Sequence, residues 1–112
     1  MRKLQIGVIG SAADLKYSKE VEEIAKKVGK LIAKKGCILI YGAEKDYDSL
    51  GTVAARAAKE EGGLVVAITY DKHKNIFDKN SADIIIPTDL NRGGGRELVL
   101  VLACDSLIAI GG

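Results

Sequence analysis

Glycine-rich turns follow four of the five apolar segments in this 112-residue chain, and they are its residues best suited to ligand chemistry. Glycine permits positive φ and a close approach of the backbone, so amide groups at such a turn can surround an anion. Where the turn opens a helix, free N–H groups and the helix dipole add attraction. The turns are Gly10-Ser11-Ala12, Gly42-Ala43, Gly93-Gly94-Gly95 and Gly111-Gly112. They predict a site for a phosphate-bearing ligand.

The segment 91–97, Asn-Arg-Gly-Gly-Gly-Arg-Glu, is the most informative of these turns. Arg96 follows three glycines at the expected start of a helix, which would place its guanidinium beside a cluster of free amides. Arginine suits a bidentate grip on phosphate or carboxylate, and Arg96 is also the one candidate catalytic residue. The alternative is a flexible loop in which Arg96 pairs with a surface acid. The predicted phosphate- or nucleotide-binding residues are Gly10, Ser11, Gly42, Ala43, Gly93, Gly94, Gly95, Arg96, Gly111 and Gly112.

Other charged residues have simpler interpretations. Glu44, Asp46 and Asp48 follow the second turn and are able to hold a ribose hydroxyl or a metal ion, but a solvated acidic loop is favoured. Arg56 is expected to be a plain surface residue. Because the sequence lacks the Cys/His spacing of metal sites, no metal site is predicted.

The remaining reactive side chains predict no further site. Cys37 and Cys104 each lie in an apolar stretch and are expected to be buried thiols. His73 lies in a polar segment between two lysines and is expected to be a solvated loop residue.

Composition argues against several classes of function. The chain is 47% hydrophobic and 29% charged, as in folded globular proteins. Its net charge of +2 is too balanced to indicate nucleic-acid binding. The longest apolar run, 98–104, is shorter than the ~20 residues of a membrane-spanning helix, and the N-terminus resembles a first strand rather than a signal peptide. We expect a cytoplasmic protein with neither a nucleic-acid nor a membrane partner.

The apolar pattern alternates between strand-like and helix-like segments. Short runs at 4–9, 37–41, 64–69, 83–86 and 106–110 are typical of strands buried in a parallel sheet. Helical spacing predicts a first helix that begins after Ser18 and ends before Gly36, a second over about 50–61 and a third over about 96–103. Between the third and fourth strands only a helical turn near 75–79 is expected. The pattern predicts a Rossmann-like three-layer α/β fold with a five-stranded parallel sheet ordered 3-2-1-4-5.

This arrangement predicts unequal cover of the two sheet faces. The first two helices would cover one face, whereas the third helix and a thin connection would cover the other. The third helix is apolar nearly all round, which is typical of an interface. We therefore expect a homodimer or higher homo-oligomer that buries this helix.

Sequence motifs narrow the class of ligand. The first turn does not have the spacing G-x-G-x-x-G, which disfavours a dinucleotide site of the dehydrogenase type. The chain also has no Walker-type glycine-lysine loop, which disfavours ATP hydrolysis.

The chain resembles the lysine decarboxylase-like superfamily, which contains the LOG-type phosphoribohydrolases and the molybdenum-cofactor carrier proteins. The resemblance is carried by Ile6-Gly7-Val8-Ile9-Gly10-Ser11, the helix that ends at Gly36, residues 54–65, Arg96-Glu97-Leu98-Val99-Leu100-Val101 and the segment 104–112 that ends in Gly-Gly. It implies a nucleotide- or pterin-binding domain. In the hydrolases, an arginine corresponding to Arg96 works with a glutamate that follows the motif Gly-Gly-x-Gly-Thr.

The departures from the family pattern bear on catalysis. The sequence ends at Gly112, so we expect a single domain over residues 1–112 that lacks the family's C-terminal part, including that glutamate. Cleaving an N-glycosidic bond requires a placed carboxylate. Conceivable replacements are Glu44, Asp46, Asp48 and Glu97, although no spacing favours one of them.

The leading hypothesis is binding of a phosphate-bearing ligand, a nucleotide or molybdopterin, without a required cofactor. One alternative is a phosphoribohydrolase that releases base and ribose 5-phosphate from a nucleoside monophosphate. A non-catalytic assembly module is the other.

Overall fold

A computed structural model describes residues 2–12 and 16–111. Three helices alternate with five strands, and a 3-10 turn at Lys79–Ser81 lies slightly beyond the turn predicted near 75–79. The strands are β1 (Gln5–Gly10), β2 (Ile38–Ala43), β3 (Val65–Thr69), β4 (Ile84–Pro87) and β5 (Ser106–Ile110). The helices are α1 (Lys19–Lys34), α2 (Leu50–Glu60) and α3 (Gly95–Leu102).

The five strands form one parallel sheet in the order β4-β3-β2-β1-β5. The predicted three-layer α/β class and the run β3-β2-β1 are confirmed. The position of β4 differs from the predicted order 3-2-1-4-5, because β4 lies beside β3 and leaves the place next to β1 to β5. The connection from β3 to β4 has no α-helix to carry the chain back across the sheet. Instead, Asp83 accepts a hydrogen bond from Val65 N at 2.8 Å and fixes β4 against β3.

The helix caps follow from local chemistry. Ser18 caps α1 by accepting a hydrogen bond from Val21 N at 3.2 Å, as its residue type predicts. Ser49 caps α2 in the same way through Thr52 N at 3.1 Å. These caps set the two helices at the carboxyl ends of β1 and β2.

One face of the sheet carries most of the hydrophobic core. Helices α1 and α2 pack here over strand side chains that are almost fully excluded from solvent, among them Leu39, Tyr41 and Val65. The helices meet at Gly29, where an added Cβ would lie 2.0 Å from Ala54 O. Only glycine allows this approach.

Among the described residues, α3 is the one helix that covers the opposite face. Its core is smaller and consists of Ile40, Ile68 and Leu100 with partly buried neighbours. Side chains of α3 and β4 remain exposed here, including Leu98, Leu102 and Ile84. The helices therefore cover the two faces of the sheet unequally, as predicted. Within the described ranges, no helix is long and apolar enough to cross a membrane.

Candidate functional site

A cleft of about 520 Å³ opens at the carboxyl ends of β1 and β2, beside the start of α3. Ligand sites of open α/β sheets occupy this position, where the chain changes direction across the sheet. A smaller cavity of about 50 Å³ lies against the cleft and shares Gly10, Glu44, Arg96 and Glu97 with it. The cleft is lined by Gly10, Ser11, Ala12, Glu44, Arg92, Gly93, Arg96 and Glu97.

Arg96 is buried rather than presented to solvent, with 5% of its surface exposed. Its Nη1 donates to Ala43 O at 3.0 Å and to Ile68 O at 3.5 Å, and its Nε donates to the Glu97 carboxylate. The guanidinium also lies 5.8 Å from the centre of the Tyr70 ring. Arg96 therefore joins the ends of β2 and β3 and places a fixed positive charge in the wall of the cleft.

Gly42 leaves room for this arginine. A Cβ at Gly42 would lie 2.9 Å from Arg96 Cζ, closer than side chains tolerate. Gly42 lines the smaller cavity but is absent from the wall of the cleft. Gly42, the second-last residue of β2, thus has a packing role, in addition to any role of its backbone toward a ligand.

Two backbone amides of the triple-glycine loop donate hydrogen bonds within the loop itself. Gly94 N and Arg96 N both donate to Asn91 O, at 3.1 and 3.2 Å. The cluster of free amides predicted here is therefore reduced by two donors. Gly93 lines the cleft and has open space around it, whereas Gly95 faces the side chain of Leu90.

Glu44 contributes a carboxylate that sequence reasoning did not select for the site. It directly follows the β2 turn and is 5% exposed, so the predicted solvated position is wrong for this residue. One oxygen pairs with Arg92, whose guanidinium lies 5.5 Å from the centre of the Tyr47 ring. The position of Glu44 immediately after the Gly42-Ala43 pair that ends β2 is the signal that could have identified it.

The other acidic residues lie in different surroundings. Asp46 is exposed, as predicted for a solvated loop. Asp48 instead bonds Arg56 at 2.5 Å, and Arg56 also contacts Asp78 at 3.2 Å. Arg56 is thus a half-buried link between the α2 entry loop and the segment before β4, rather than a plain surface residue.

The remaining candidates among the described residues do not line the cleft. Gly111 follows β5 at the same edge, but an added Cβ would face Leu50 and Val21. Gly112 lies outside the described residues. Cys37 and Cys104 are half-buried, and burial raises the pKa of the Cys104 thiol. His73 is exposed, as predicted.

Metal ligation receives no support from the part of the chain that the structure describes. Within residues 2–12 and 16–111, no group of three or more His, Cys, Asp or Glu side chains is placed to hold a metal ion. The cleft pairs its carboxylates with arginines instead.

The fold and this edge cleft define a class of small α/β domains with a cleft at the carboxyl ends of parallel strands. A model of the SLOG cluster4 family matches residues 3–112. The chain belongs to this family. An uncharacterised protein of Archaeoglobus fulgidus is 42% identical over 112 residues, which are all of this chain and 68% of that protein.

Solved structures of molybdenum-cofactor proteins have the same fold. The molybdenum cofactor binding protein of Rippkaea orientalis superposes with a TM-score of 0.85 at 33% identity, over 100% of this chain and 64% of that one. The molybdenum cofactor carrier protein of Chlamydomonas reinhardtii gives a TM-score of 0.82 at 29% identity, over 99% and 63%. The chain thus spans less than two thirds of the length of these two proteins.

Proposed function

We propose that the cleft binds a phosphate-bearing ligand, either a nucleotide or a pterin-type cofactor such as molybdopterin, and that the domain binds or carries this ligand. The observation behind the proposal is the position of the cleft, between two arginines at the carboxyl edge of the sheet. Its volume of about 520 Å³ is within the usual range for small-molecule sites. The names of the two similar molybdenum-cofactor proteins support the pterin-type ligand.

Arg92 is the side chain best placed to contact the phosphate group. Its side chain is 39% exposed, whereas that of Arg96 is 6% exposed and donates to two backbone carbonyls. Arginine binds phosphate through charged and directional hydrogen bonds. Arg96 would then add a fixed positive charge from the wall of the cleft, and Gly93 would let the ligand approach the backbone.

The charges of the cleft predict that phosphate alone binds weakly. Arg92 is paired with Glu44, and Arg96 is paired with Glu97. An incoming anion must compete with these carboxylates and is repelled by them. The remainder of the ligand therefore has to supply much of the affinity.

Calorimetric titration with nucleoside monophosphates and with molybdopterin tests this proposal. We expect Arg92→Gln to weaken the binding of the best ligand at least about tenfold, because one charged hydrogen bond contributes about 1.5–3 kcal/mol. Arg2→Gln is the matched control, since Arg2 pairs with Asp105 at the start of β5, away from the cleft. The control should leave binding unchanged. No binding of either ligand class, or equal binding by the Arg92 variant, would contradict the proposal.

The phosphoribohydrolase alternative receives less support from the geometry. Both carboxylates that line the cleft, those of Glu44 and Glu97, have an oxygen paired with an arginine, so no carboxylate of the described cleft lining is left without such a pair to activate water. We therefore expect no release of adenine from adenosine monophosphate. Chromatography of the reaction mixture measures this directly.

A further inference from the structure

Glu44 holds a buried carboxylate oxygen that the described residues leave without a hydrogen bond. The residue is 5% exposed, and its Oε2 has no partner among the residues that the structure describes. Such an atom is costly, because a buried carboxylate needs donors to replace the water that it has lost. Since Glu44 lines both the cleft and the smaller cavity, a bound ligand is well placed to supply the donor.

The orientation of this carboxylate is set before a ligand binds. Glu44 O accepts a hydrogen bond from Phe77 N at 2.8 Å, which fixes the backbone. Its other carboxylate oxygen pairs with Arg92, and Arg92 lies over the Tyr47 ring. A preset acceptor discriminates between ligands, because a ligand that lacks the matching donor leaves it unsatisfied.

The smaller cavity determines which part of a ligand can reach Glu44. Its volume of about 50 Å³ admits only a few water-sized groups. Glu44, Arg96 and Glu97 line both spaces, whereas Arg92 lines the open cleft and not the smaller cavity. The phosphate is therefore expected in the open cleft near Arg92, with the edge of a ring system directed at Glu44.

A carboxylate accepts hydrogen bonds and donates none when ionised. An adenine edge presents one amino donor next to a ring nitrogen lone pair, which a carboxylate repels. A 2-amino-4-oxo-pyrimidine edge presents two adjacent N–H donors instead. Guanine nucleotides and pterins share this edge.

We propose that Glu44 selects the ligand by accepting a hydrogen bond from the paired N–H donors of a 2-amino-4-oxo-pyrimidine ring. The proposal rests on the proposed function, since it assumes that the cleft binds a phosphate-bearing nucleotide or pterin. It adds the chemical class of the ring and the residue that recognises it.

Equilibrium titrations with guanosine, inosine and adenosine monophosphates and with neopterin monophosphate test this proposal. On the unaltered chain, the guanine and pterin ligands should bind about 10- to 100-fold more tightly than the adenine ligand, as expected for one charged hydrogen bond. The inosine ligand, which lacks the 2-amino group, should lie between them. Glu44→Gln should reduce the preference for guanine over adenine to about threefold or less. Asp46→Asn is the matched control on the same loop, because Asp46 is exposed, and it should keep the full preference.

The outcomes separate the two proposals. Equal affinity of the unaltered chain for guanosine and adenosine monophosphates would overturn the role of Glu44 and leave phosphate-ligand binding intact. A preference for guanine that survives in Glu44→Gln would overturn it as well. No binding of any of the four ligands would overturn the role of Glu44, and it would overturn both proposals if molybdopterin also failed to bind. The comparison on the unaltered chain remains decisive even if the Glu44 variant does not fold.

Discussion

The two faces of the sheet are built from the same kinds of residue but packed to different degrees. On the face of α1 and α2, strand side chains such as Leu39 and Val65 are completely buried. On the face of α3, Ile84 and Ile86 in β4 remain 48% and 40% exposed beside a groove of about 260 Å³. The difference indicates that the first face supplies most of the stability. The second face, together with the cleft at its edge, is where this domain has surface available for other molecules.

Truncating one strand residue on each face should produce the largest contrast. Leu39→Ala removes a fully buried side chain and should lower the free energy of unfolding by about 3–4 kcal/mol. Ile84→Ala removes a half-exposed side chain and should cost about 1 kcal/mol or less. Urea unfolding followed by circular dichroism measures both values. Equal losses would show that the α3 face is as well covered in solution as the other face.

Tyr41, on the face covered by α1 and α2, should make the stability of the fold depend on pH above pH 10. Burial raises the pKa of Tyr41 from 10.0 to about 12, and its hydroxyl hydrogen-bonds Ser81 Oγ at 2.5 Å. The unfolded chain therefore ionises first, so the contribution of Tyr41 is fully present below pH 10 and is lost as the pH rises toward 12. The pKa difference corresponds to about 3 kcal/mol.

Comparing the unaltered chain with Tyr41→Phe isolates this effect, because both proteins share every other titrating group. At pH 7 the unaltered chain should be more stable by about 1 kcal/mol, the value of one hydrogen bond. Between pH 10 and pH 12 this advantage should shrink and then reverse. A constant difference across that range would show that the Tyr41 hydroxyl is accessible to water.

The contact between α1 and α2 provides a third test. Alanine is favoured over glycine in a helix by about 1 kcal/mol, so Gly29→Ala would stabilise an exposed helix. Here the new Cβ would lie 2.0 Å from Ala54 O, and we expect a net loss of about 1–3 kcal/mol from overpacking. Lys27→Ala, at an exposed position of the same helix, should change stability by about 0.5 kcal/mol or less. A stabilising Gly29→Ala would mean that the two helices separate easily.

Much of this fold is predictable from local sequence signals. Apolar runs and caps such as Ser18 identify the elements, because they depend on neighbouring residues alone. The position of β4 is not predictable in this way, since it depends on where a helix-free connection leads and on the contact of Asp83 with Val65.

The candidate site was predictable in outline and not in detail. Gly10, Ser11 and Gly93, which the sequence singles out by their glycine turns, line one cleft. That they bind a ligand stays a prediction. The pairing of Arg92 with Glu44 and the burial of Arg96 depend on contacts between distant segments. Contacts between distant segments cannot be inferred from composition or from the spacing of residues along the chain.

The smallest expected effect concerns association of two copies through the α3 face. If a second copy covers this face, the two faces of the sheet no longer differ in exposure. Homo-oligomerisation through α3 stays a prediction, and it is motivated by Leu98 and Leu102, which are 61% and 75% exposed on a surface that carries few charges. If a second copy covers them, Leu102→Lys should weaken association about tenfold or more, since burying an unpaired charge is unfavourable. Leu31→Lys is the matched control, because Leu31 is 56% exposed but lies among the lysines of α1 on the opposite side. Light scattering at tens of micromolar distinguishes the outcomes: a monomeric unaltered chain, or equal masses for both variants, would show that no second copy covers the α3 face. In that case the face remains open in the isolated chain, and the difference between the two sheet faces is a property of the single chain.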